Sequence, residues 1–148
     1  MNFPDAPVNG QQFTANGVTW YYNSSIPAWT GGAVMPLTAM VILAPVYAAT
    51  LSVDISPYVA YPIVLINVGT LTGPINFDII GGTDGQIIRA RLKQDVTGGR
   101  VFAAGAHLRF SVDTPLPVLS VAGNKMDRLA FEWHSSGFAD LIAVNKGY

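Results

Sequence analysis

The chain has 148 residues and a formal net charge of -1, with only 11% charged residues against 50% hydrophobic ones, below the roughly 25% charge of ordinary soluble domains. That length suits one domain with a real core and a small appendage, and leaves no room for a second catalytic domain. The near-neutral balance excludes a general nucleic-acid binder, which needs a clear excess of Lys and Arg, and the lack of cysteine excludes a disulfide framework, a thiolate nucleophile and a cysteine zinc site.

The low charge implies that much of the surface is covered by other chains. The first ten residues, MNFPDAPVNG, carry neither the basic region nor the apolar core of a signal peptide. Spaced prolines, Pro4 and Pro7, favour an extended lead-in. Asn16-Gly17 then lies between Gln12-Phe-Thr-Ala15 and Val18-Thr-Trp-Tyr-Tyr22, a hairpin signal because a type I′ turn needs positive φ at both central residues. Val18, Trp20 and Tyr22 would share one face. A two-stranded hairpin is marginal alone, so it is expected to be braced by another surface. Gly31-Gly32 forms a natural hinge behind it. Residues 1–32 are therefore expected to be an N-terminal hairpin attachment arm and 33–148 the main domain. The rings of Trp20, Tyr22 and Trp29 read first as cross-strand pairs and anchors; stacking on the apolar faces of sugar rings is the alternative.

Residues 33–49 are nearly all apolar but shorter than the roughly 20 residues of a membrane span, and Pro36 and Pro45 interrupt them. No membrane insertion is expected. Strands over residues 38–44 and 46–53, in a core or a subunit interface, explain the run better. Residues 58–66 read as a central strand. Thr72-Gly73-Pro74 turns the chain into Ile75, Phe77 and Ile79, which alternate with Asn76 and Asp78.

The sharpest pattern follows. Ile88, Ala90 and Leu92 alternate with Arg89, Arg91 and Lys93, which as a strand sets apolar residues on one face and three cations on the other. Asp84-Gly85 precedes it and Asp95-Val-Thr-Gly98-Gly99 follows, both turn chemistry. In residues 100–110, Ala106, Leu108 and Phe110 alternate with His107 and Arg109. Residues 118–121 read as a short edge strand, Asp127, Leu129, Phe131 and Trp133 mark a long one, and Ser135-Ser136-Gly137 returns Phe138 to Val144 as its hairpin partner. No window has a sustained helical period. The expected fold is all-β: an antiparallel β-sandwich, jelly-roll-like, preceded by the hairpin arm.

The order GTDGQIIRARLKQDVTGGR, a short strand with LRF, then TPLPVLSVAGNKMDRLAFEW and a closing strand resembles a β-rich structural module of tailed-bacteriophage virion proteins, from tail fibres and capsid-associated proteins, over roughly the second half of the chain. Near the N-terminus, F-P-x-x-P-x-x-G-Q-x-F-x-x-N-G-x-x-W, completed by Pro27-Ala28-Trp29, is similar to a small module of phage tail and virion proteins; where that module has W-D-G, this chain has Tyr22-Asn23-Ser24.

The chemistry of catalysis is sparse. His107 and His134 lie on separate predicted strands, and neither has a partner at His-x-x-x-His or Glu-x-x-x-His spacing. Glu132 is the sole glutamate, so a glycosidase pair would need an aspartate. No G-x-S-x-G elbow or phosphate-binding glycine loop occurs. No catalytic residue, metal site or cofactor is expected. The row Arg89, Arg91, Lys93, with Arg100 and Arg109 near it, admits three readings: a solvated face, salt bridges across a subunit interface, or a patch for an anionic partner. The interface reading needs carboxylates such as Asp78, Glu132 or Asp140.

The expected function is that of a non-enzymatic bacteriophage virion structural protein: a capsid decoration or cement protein, homo-oligomeric and trimeric. It would fasten to other virion proteins such as the major capsid protein, within virions assembled in the bacterial cytoplasm. The alternative is a tail-fibre or spike module that binds a host glycan. The partner-binding candidates are Trp20, Tyr22, Trp29, Arg89, Arg91 and Lys93.

Overall fold

The computed structural model describes residues 6–9, 11–15, 18–24, 28–31 and 40–148. The chain divides into two compact units, Met1–Thr38 and Ala39–Tyr148.

In the first unit, β1 (Gln12–Ala15), β2 (Val18–Asn23) and β3 (Ala28–Gly31) form one antiparallel sheet in that order. Ala15 pairs with Val18, the register a two-residue hairpin demands; Asn16 and Gly17 themselves lie outside the described residues, as does the expected hinge position Gly32. The arm was expected to hold two strands. A third, around Trp29, pairs with β2, because the turn at Ser24 returns the chain along it, and three strands are the smallest sheet with a prospect of standing by itself. The amide of Ser24 donates to Asn9 Oδ1 at 3.0 Å and fixes that return.

The second unit contains β4 (Met40–Leu43), β5 (Thr50–Asp54), a 3-10 turn at Ser56–Tyr58, β6 (Ile63–Asn67), β7 (Ile75–Ile80), β8 (Ile87–Lys93), β9 (Phe102–Ala104), β10 (Leu108–Arg109), β11 (Met126–His134) and β12 (Phe138–Asn145). No α-helix occurs among the described residues, so the all-β class holds. The antiparallel, jelly-roll-like sandwich does not. From β4 to β9 successive strands alternate between two sheets, one ordered β10-β12-β11-β8-β6-β4 and the other β5-β7-β9. Each strand therefore pairs in parallel with the strand two places along. Pairing offsets are 23 and 24 residues in the first sheet (Met40 to Ile63, Ile63 to Ile87) and 26 and 27 in the second (Thr50 to Asn76, Ile75 to Phe102). From β4 to β9 the second unit is a short two-sheet coil whose glycine and proline turns are corners between sheets. The hairpin β11–β12 then pairs antiparallel with β8, and β10 joins the sheet on the far side of β12, in parallel.

One core fills the space between the sheets, because alternation sends every second side chain inward. Phe77, Ile79 and Phe102 from one side meet Ile66, Ile88, Leu92, Leu129 and Phe131 from the other. Two buried glutamines brace the ends of β8, the strand at the centre. Gln86 Nε2 donates to the carbonyls of Tyr58 and Tyr61, at 2.9 and 2.7 Å. Gln94 Oε1 accepts from Arg100 N at 2.8 Å while its Nε2 donates to Arg100 O at 3.1 Å. Both satisfy backbone groups at corners where ladder bonding stops.

Several sequence boundaries move. Among the described residues of the apolar run at 38–53, β4 and β5 are the strands, with Ala44 to Ala49 between them outside any strand. β4 is a half-exposed edge strand rather than a buried one, since nothing described pairs on its outer side. Residues 100–110 split between the two sheets at Gly105, where a Cβ would collide with the Asp78 side chain. Residues 118–121 form no strand. Pro115 and Pro117 cannot donate to a ladder, and the amide of Ser120 is taken by a carboxylate.

Candidate functional site

Strand β8 delivers the expected division of faces: Ile88, Ala90 and Leu92 are fully buried, while Arg89 and Lys93 are exposed and Arg91 half-buried on the outer face. The register then adds a cation that the sequence reading left out of the row. Arg128 on β11 is the direct cross-strand partner of Arg91. Asn67 on β6 lies opposite Arg91 on its other side, and Asn145 on β12 lies opposite Arg128. Four adjacent strands thus present Asn67, Arg91, Arg128 and Asn145 in one line. Beside it run Leu65, Arg89, Ala130 and Ala143.

A bulge makes this alignment. The β11–β12 register jumps between Ala130 and Phe131, which pair with Ala143 and Leu141, so Ile142 is the extra residue. Strict alternation from Asp140 would turn Val144 outward; the inserted residue instead exposes Ala143 and Asn145 and half-buries Val144 against the core. The short side chains of Ala130 and Ala143 leave a concavity of about 230 Å³, lined also by Arg89, Arg91, Arg128 and Asn145. Arg128 is held over the Tyr148 ring, 4.2 Å from its centroid, and Tyr148 is tied to Met126 by reciprocal backbone hydrogen bonds of 3.0 and 3.1 Å.

No ion pair neutralises Arg89, Arg91, Lys93 or Arg128 among the described residues. Of the carboxylates expected to serve them, Asp78 bonds His107 Nδ1 at 2.8 Å and Asp140 bonds Arg109 at 2.6 and 2.8 Å. Glu132 shares the outer face and forms no ion pair among the described residues. Arg100 and Arg109 are not part of the row: each is engaged with its own aspartate, Asp95 or Asp140. The hydrogen bond from Arg100, then the Gly98 amide, holds the Asp95 carboxyl below its ordinary value, and the bond from Arg109 does the same for Asp140.

A second surface of different character lies at the loops. Val101, Leu116, Val118 and Val121 are 63, 48, 73 and 74% exposed and line one groove of about 240 Å³ over Phe102 and Leu119. These aliphatics are held by hydrogen bonds between loops. The buried carboxylate of Asp127 accepts from Ser120 N and Ser120 Oγ, both at 2.6 Å, and from Gly147 N at 3.0 Å. Lys146 Nζ donates to Val118 O at 2.9 Å, and Gly99 N to Val121 O at 2.9 Å. Gly98, at φ +73, approaches Val121 O so closely that a Cβ there would collide with it.

The aromatic candidates belong to the first unit. Trp20 and Tyr22 are on β2 and Trp29 on β3; Tyr22 pairs with Trp29, and Phe13 on β1 pairs with Trp20. Of the six candidates, the register joins the three cations of β8 to Arg128, because β11 pairs with β8. Among the described residues no group of three or more His, Asp or Glu side chains could hold a metal ion. No helix there is long and apolar enough to cross a membrane. Comparisons with family models, with curated proteins and with solved structures find no match.

Proposed function

We propose that this chain is a non-enzymatic structural protein of a tailed-bacteriophage virion, a capsid decoration or cement protein that acts by burying its apolar loop surface against further copies of itself and against other shell proteins. The observation that carries the reading is the groove of Val101, Leu116, Val118 and Val121, four aliphatics exposed on loops that are locked by hydrogen bonds. Aliphatics kept in water on an ordered backbone fit an assembly surface, whose desolvation supplies the contact energy. The low total charge and the phage-like order of turns in residues 82–133 favour the same reading. The mechanism is apolar burial between subunits, which stiffens a shell without any chemical step.

Residues 1–32 serve as the attachment arm in this reading, and a trimer is the assembly we propose. A host-glycan-binding module of a tail fibre or spike is the second reading, favoured by the Tyr22–Trp29 pairing. Imaging of particles assembled with and without the protein tests the proposal. Density on the shell that is lost when residues 1–32 are removed supports a decoration protein. Density at the tail tip, with retention on a glycan array, would replace it with the second reading.

A further inference from the structure

We propose that the concavity between Arg89, Arg91 and Arg128 is a binding site for a tetrahedral oxyanion of the phosphate or sulfate class. Arg91 and Arg128 are direct partners across an antiparallel pair, where like charges repel, and no carboxylate of the described residues is paired with either. The chain has aspartates elsewhere that quench single arginines, as Asp95 does Arg100 and Asp140 does Arg109. The face is left positive in a protein whose total charge is -1.

Geometry selects the ligand class. Arg89 and Arg91 project from one strand two residues apart, roughly 7 Å along it, and Arg128 enters from the neighbouring strand. Three guanidinium forks bordering one concavity offer more donors than the two oxygens of a carboxylate can accept, whereas a phosphoryl or sulfo group has three or four oxygens. The floor of Ala130 and Ala143 admits such a group and lowers the local dielectric beneath it. Asn145 adds an amide to the rim. Tyr148 under Arg128 fixes one fork in advance of binding. The cations are too few for the extended phosphate contacts of a nucleic-acid surface.

The test is thermal unfolding and isothermal titration of the full chain in inorganic phosphate, in glucose 6-phosphate and in acetate, each against chloride at matched ionic strength. Phosphate should raise the unfolding temperature and bind with a measurable heat, and acetate should do neither. Arg91→Gln and Arg128→Gln should each weaken phosphate by about tenfold, the loss of one charge-assisted fork, while Arg109→Gln, whose arginine is engaged with Asp140, should leave it unchanged. Arg128→Lys keeps the charge and loses the fork, and should fall between. Tighter binding of the sugar ester than of inorganic phosphate would identify an oxyanion carried on a larger ligand, and equal binding the free ion. No response to either phosphate, or a response that survives in both glutamine variants, overturns the site.

Discussion

The cationic sheet face carries no ion pair among the described residues and the apolar loop groove leaves its aliphatics in water, yet the two surfaces are built in opposite ways. On the sheet, alternation alone turns Arg89, Arg91, Lys93 and Arg128 outward, and the backbone beneath them is satisfied by the ladder. In the groove, no ladder is available. Side chains and corners satisfy the backbone there: Asp127 with Ser120, Lys146 with the Val118 carbonyl, Gly99 with Val121. A sheet satisfies its own backbone whichever residue points outward, so the facing charges of Arg91 and Arg128 cost only their mutual repulsion. A loop can hold aliphatics in water only where polar bonds fasten it from behind. The sheet face should therefore tolerate substitution, and the groove should depend on a few buried polar atoms.

The largest effect should come from a change that damages both surfaces together. Phe131 is fully buried between the sheets, and Phe131→Ala should cost about 3–5 kcal/mol through lost transfer energy and the cavity left behind, read from urea unfolding. Asp127→Ala separates the surfaces. It strands the amides of Ser120 and Gly147 and the Ser120 hydroxyl, and should cost about 2–3 kcal/mol. Cleavage between residues 116 and 122 by limited proteolysis should rise, while phosphate binding at Arg91 persists.

Acid should act next, and more weakly. Asp95 and Asp140 have carboxyls held below their ordinary value by Arg100 and Arg109. A carboxylate with a depressed folded-state pKa contributes stability that is complete above its unfolded value, near about 3.9, and is lost as pH falls through the folded value. The urea midpoint should therefore drop below about pH 4, and Asp140→Asn should flatten that slope. The smallest effect on the stability of the single folded chain, read at concentrations low enough that wild type and variant are both monomeric, belongs to Val118→Ser with Val121→Ser, within about 0.5 kcal/mol, because both side chains face water in the single chain. A large loss would mean that these valines pack inside the unit after all.

The strands that carry the cations were legible because period-two alternation is strong in Ile88 to Lys93 and Asp127 to His134, and burial follows it residue by residue. Their pairing was not. Alternation is the same in a parallel and an antiparallel strand, so the pattern of β6 to β9 cannot distinguish a hairpin meander from a coil that crosses between sheets at every corner. The 23- to 27-residue pairing offsets leave no sequence repeat because the coil asks only for inward apolar side chains, which Ile66, Ala90, Phe77 and Phe102 meet with different residues. Arg128 was visible as an outward cation, but its place beside Arg91 depends on pairing across the 36 residues between them, and Asn145 joins the row only through the bulge at Ile142. The groove was hidden for another reason. Val118 to Val121 has the composition of an edge strand, and only the tertiary bond from Ser120 to Asp127 shows why it is a fixed loop.

Sedimentation velocity at micromolar concentration, run on the wild type beside the Val118→Ser, Val121→Ser double variant and the Arg91→Gln, Arg128→Gln double variant, separates the two surfaces in one measurement. The wild type and the arginine variant should sediment as the same closed oligomer, and the valine variant as a folded monomer. A monomeric wild type, or a valine variant that sediments with the wild type, would contradict assembly through the loop groove.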